Sequence, residues 1–114
     1  MDGISLTRLA EEQLQAARAA SAGRAAHTVH GGHDHLLRQT VIALTAGNEL
    51  AEHNSPGQAT LQVLRGAVRV TAGDDTWAGA PGDLLVIPRQ RHALHADEDS
   101  VVLLTVLADS REAQ

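Results

Sequence analysis

The stretch Gly47 to Gly66, GNELAEHNSPGQATLQVLRG, constrains this chain more than any other. It opens on a glycine, passes His53, turns at Ser55-Pro56-Gly57, and closes on Gly66. Between the turn and the last glycine, Ala59, Leu61 and Val63 alternate with Gln58, Thr60 and Gln62. Alternation of period two between turn residues marks a strand with one buried face. A second stretch, Gly82 to His92 (GDLLVIPRQRH), repeats the order of glycine, apolar strand, proline and histidine. Two histidines carried by two such units, His53 and His92, are the constellation here best suited to chemistry.

The same strand-and-turn rhythm runs through the rest of the chain. Leu36 to Leu44 reads as a strand, and Ala67 to Ala72 as a continuation of the central strand beyond Gly66. Gly73-Asp74-Asp75 turns into a short strand around Trp77, and Ala80-Pro81-Gly82 suits a turn with proline and glycine at its centre. Asp83, just after that glycine, reads as a turn residue bonding local amides. Asp83 to Ile87, Arg91 to Ala96 and Val101 to Leu107 complete the strands. Many short strands between glycine-rich turns predict an all-β sandwich or barrel. Two of them, LLVI and VVLLTVL, are apolar without alternation, which predicts burial on both faces. One face fills the barrel, so something must cover the other.

One cover is a helix over residues 5–20, where Leu6, Leu9, Ala10, Leu14 and Ala17 form an apolar stripe. Ser5 suits its N-cap and Gly23 its stop. The other cover is a second copy of the chain, so a homodimer is expected. Residues 24–34 read as polar loop, with a turn at Gly31-Gly32. The organisation expected is a helix and histidine-rich arm over 1–35, a barrel over 36–108 and a polar tail over 109–114.

Composition narrows the function. Phe and Tyr are absent and Trp77 is the sole aromatic, which removes the stacking platforms of single-strand nucleic-acid binders. A net charge of −5 opposes contact with a phosphate backbone. There is no cysteine, hence no disulfide and no thiolate metal site. No apolar run approaches the ~20 residues that span a bilayer, and the N-terminus lacks a signal pattern. A cytoplasmic protein that engages neither nucleic acid nor membrane is expected.

At these residues the chain resembles a cupin, in particular the small single-domain bacterial members of the RmlC-like superfamily. The family's first motif runs glycine, five residues, histidine, one, histidine, three or four, glutamate, six, glycine. Gly47, His53, Ser55, Ala59 and Gly66 fall on that spacing, with serine for the second histidine and alanine for the glutamate. In the second motif Gly82 and Pro88 fit, Gln90 replaces a glycine, and His92 arrives one residue early. The resemblance implies a cupin double-stranded β-helix, a jelly-roll-like barrel with its site in the mouth, preceded here by one short α-helix. It also implies a divalent metal (Zn, Fe, Ni or Mn), for which His53 and His92 remain as ligands.

Further candidates surround that pair. His33 and His35 form an HxH pair that would complete a site if their segment passes the barrel mouth, or else lie in an exposed loop. Ser55, Gln39, Arg38 and Gln90 are candidate ligands or pocket residues. Arg89 and Arg91 bracket the turn before His92, and guanidinium groups suit anionic ligands as well as acidic surface partners. His95, three residues beyond His92, falls on the opposite strand face. Two functions follow: a barrel that binds a divalent metal or small polar or anionic ligand, or a metal-free sensing or structural module acting through a ligand pocket or partner protein.

Overall fold

The computed structural model describes residues 1–32, 34–53 and 57–108. The apolar stripe near the N-terminus forms α1 (Leu6–Ala19). The Ser5 hydroxyl accepts the Arg8 amide at 3.1 Å, which satisfies a first-turn donor with no partner inside the helix. The helix ends at Ala20, three residues before Gly23. Ala10, Leu14 and Ala17, spaced by four and three, are its buried face.

Nine strands follow among the described residues: β1 (Arg24–His30), β2 (Leu37–Leu44), β3 (Glu49–His53), β4 (Gly57–Arg65), β5 (Val68–Ala72), β6 (Asp75–Gly79), β7 (Leu84–Val86), β8 (His92–Ala96) and β9 (Ser100–Ala108). They form two antiparallel sheets, one ordered β1-β2-β9-β4-β7 and the other β3-β8-β5-β6. This is the jelly-roll arrangement expected. The core between the sheets takes Leu44, Ala59, Leu61, Val63 and Val102 from the first and Val68, Val70, Leu94 and Ala96 from the second.

The doubly apolar strands have different fates. In β9, Val102, Leu104 and Val106 face the core, while Val101 and Leu103 pack beneath α1 with Val41 and Ala43 of β2. In β7, Leu85 belongs to the core, but Leu84 and Val86 on the other face are 60% and 73% exposed. The helix therefore covers one strand and not the other.

Two readings of the sequence are corrected. Residues 24–30, expected as loop, form β1, which pairs with β2 from Arg24↔Leu44 to His30↔Gln39. This edge strand is mostly exposed, so its pairing rests on backbone bonds and leaves little hydrophobic pattern. Second, β5 does not continue β4. Gly66, at φ +85°, turns the chain out of one sheet and into the other.

Ion pairs brace the turns. The Ala46 amide and then the Arg18 guanidinium hold the Asp99 carboxyl below its ordinary pKa, joining the helix end to two loops. Arg65 lowers that of Glu11 in the same way, chiefly through its hydrogen bond. Among the described residues no helix is long and apolar enough to cross a membrane.

Candidate functional site

Strand β8 begins directly after the turn that follows Pro88. Its alternation sends His92, Leu94 and Ala96 towards the core, and His92 is 5% exposed. The His92 Nδ1 lies 3.0 Å from the Gln90 carbonyl. A carbonyl only accepts, so Nδ1 carries the proton, and the lone pair of the neutral ring sits on Nε2. That is the tautomer suited to accepting a hydrogen bond or ligating a cation through Nε2.

Strand β3 sets His53 directly opposite His92, after an irregularity in register between Leu50 and His53. Adjacent strands lie about 5 Å apart, so the two expected residues are brought to neighbouring positions. The His53 side chain, together with His33 and Ser55, lies outside the described residues. Across the barrel, Ala59 is buried and its carbonyl accepts the Ile87 amide at 2.9 Å, tying the strands of the two motif stretches together. Val106 lies opposite Ala59, and Arg38 opposite Val106. Arg38 shares strand parity with the core-facing Ile42 and Leu44, and is exposed at its end of β2.

The other candidates are distributed differently. Gln39 does not line the barrel: strand parity turns it to the helix side with Val41 and Ala43, and its Nε2 donates to Thr105 Oγ1 at 3.2 Å. Gln90 contributes its carbonyl to His92, and the residue itself is exposed. His35 lies in the exposed segment between β1 and β2, beside His30 rather than His92. His95 points outward as expected, its Nδ1 2.8 Å from Glu49 Oε2 and its Nε2 3.0 Å from Thr71 Oγ1. Arg91 pairs with Glu52 at 2.7 Å and Arg69 with Asp97 at 2.9 Å, so these two cations balance surface acids. Asp83 accepts the Ala80 amide at 2.9 Å, the turn role its position predicts.

Sequence reasoning missed the approach of His30 to His35 and the Glu49–His95–Thr71 chain. The first had a signal in Gly31-Gly32, whose turn folds the two histidines together. The second had none, because cross-strand partners depend on sheet order.

A full cupin metal set does not form from the described residues. No group of three or more His, Asp or Glu among them is arranged to hold an ion. The methyl of Ala59 occupies the core-facing position that corresponds to the motif's glutamate.

No family model and no curated protein matches the sequence. Solved structures do match. A conserved protein of unknown function from Streptococcus pyogenes is 31% identical, with a TM-score of 0.71 over 79% of this chain and 78% of that one. An RmlC-like cupin from Desulfovibrio desulfuricans is 26% identical, with a TM-score of 0.65 over 74% of this chain and 81% of its own. The chain belongs to the cupin superfamily. It is also similar to a variant of salicylate 1,2-dioxygenase from Pseudoaminobacter salicylatoxidans, 27% identical with a TM-score of 0.73. That match takes in 94% of this chain but only 34% of the enzyme.

Proposed function

We propose that this protein is a ligand-binding cupin whose barrel mouth takes a small anionic or polar molecule through His92 and His53. The observation that carries the reading is the direct cross-strand pairing of the two histidines, with His92 turned inward and its tautomer set by Gln90. Arg38, which forms no ion pair among the described residues, supplies a positive charge at the same mouth. Ala59, Ile87 and Val106 supply apolar walls. Likeness to a salicylate dioxygenase makes hydroxybenzoates the first ligands to test. The donor set falls short of the family's metal centre, so a metal would rest on two imidazoles and the ligand reading does not require one.

Calorimetric titration of the untagged protein with salicylate, and separately with Zn, Ni, Fe and Mn, tests this. Salicylate binding is expected, with the carboxylate on Arg38 and the ligand hydroxyl donating to His92 Nε2. Arg38→Ala should weaken it about tenfold or more, since charge-assisted hydrogen bonds contribute about 1.5–3 kcal/mol. His92→Ala should weaken it by only about threefold to tenfold, since a neutral hydrogen bond contributes about 0.5–1.5 kcal/mol. His95→Ala should leave it unchanged. Metal binding that is lost in His92→Ala would favour the metal reading instead. No salicylate binding, together with no metal binding that depends on His92, would favour the structural module.

We also propose that β7 forms part of a homodimer face. Leu84 and Val86 are exposed on an edge strand beside Thr60 and Gln62 of β4, and a second copy is the cover that the apolar run calls for. Light scattering at micromolar concentration should give twice the 12.0 kDa chain mass. Val86→Lys should return the protein to monomer. A monomeric wild type would overturn the assignment.

A further inference from the structure

We propose that the β1–β2 connection carries a second cation site, separate from the barrel mouth, in which His30 and His35 bind Zn, Ni or Cu. The chain leaves β1 through Gly31, whose φ of +122° is open to glycine but strained for other residues. The register slips between Thr28 and His30, which sets His30 opposite Gln39. Together these features bring the His30 and His35 rings to a centroid separation of 5.0 Å with their planes 70° apart.

That separation matches two imidazoles on one tetrahedral ion. With a metal–nitrogen bond of about 2.0–2.1 Å and a ring centre about 1.1 Å beyond the nitrogen, the ion lies roughly 3.2 Å from each centre. A tetrahedral angle then sets the centres about 5 Å apart. The competing account is edge-to-face attraction between the rings, which needs no ion. Both residues are exposed, so an ion can enter and water can complete its shell. Neutral imidazole suits Zn, Cu and Ni.

The site is distinct from the mouth. His30 and Gln39 line a cavity of about 480 Å³ with Asp2, Ile4 and Leu6, on the helix side of the sheet. His92 faces the opposite side, into the barrel. Asp2 also lines this cavity, but among the described residues it does not join the two histidines in a three-donor group, so His30 and His35 are the protein donors and water completes the shell.

The test uses the full chain with His53→Ala and His92→Ala, so that the mouth contributes nothing and its own failure is read separately. Titration with ZnCl₂ followed by calorimetry and by ¹H–¹⁵N spectra should show one ion per chain, with shifts concentrated over residues 29–39. His30→Asn and His35→Asn should each weaken binding at least about tenfold, since each removes one of two protein donors. His27→Asn should have no effect. No binding in this background overturns the proposal. So does binding undiminished by His30→Asn and His35→Asn, or binding abolished by His33→Asn while His30→Asn leaves it intact.

Discussion

Gly66→Ala is expected to destabilise the protein by about 2–4 kcal/mol, and Gly47→Ala by only about 1 kcal/mol. The two glycines share the same backbone strain, at φ +85° and +86°. They differ in what a new methyl would meet. At Gly47 nothing lies within 4 Å, so only the cost of placing an L-residue at positive φ remains. At Gly66 a Cβ would stand 2.2 Å from Ser100 Oγ and 2.4 Å from the Asp99 carbonyl. Ser100 cannot yield cheaply. It is 1% exposed, and its hydroxyl accepts the Ala67 amide at 3.1 Å and bonds the Glu98 carbonyl at 2.7 Å. The methyl would thus push apart the turn after β4 and the start of β9. Urea unfolding of both variants measures the difference, and equal destabilisation would show that crowding at Ser100 is relieved without penalty.

Leu14→Ala is expected to lower stability by about 2–5 kcal/mol, the range for a buried leucine that leaves a cavity. Leu14 is 1% exposed at the centre of the helix face, within the cluster that holds Val41, Ala43, Val101 and Leu103. Leu6 lies at the start of α1 and is only partly buried. Leu6→Ala should therefore cost much less, about 1 kcal/mol, by loss of apolar area alone. Because α1 covers the outer face of the sheet, ligand binding at the mouth should survive Leu14→Ala at temperatures where the protein stays folded. Thermal melts followed by circular dichroism compare the two. Similar losses would mean that the helix is not docked through Leu14.

The helix, most of the strands and the glycine turns were legible because each is written in a local period or a local dihedral demand. A stripe at steps of three and four has one solution, and the alternation of Ala59, Leu61 and Val63 has another. The departures in the motif were equally plain: the chain carries Ala59 on the glutamate's spacing whatever its fold. His95 could be turned outward from strand parity alone.

What only the tertiary structure decided concerns neighbours. Whether the second face of β9 meets α1, and that of β7 does not, depends on where the helix lies across the sheet. Strand β1 exists because β2 offers it a partner, and backbone amides and carbonyls are common to nearly every residue, so its sequence carries little sign of them. Gln39 turned to the helix side and His30 came beside His35 for related reasons: parity and a slipped register act only once the pairing is set. Local chemistry wrote the elements of this cupin. The order in which its strands hydrogen-bond determined which side chains meet.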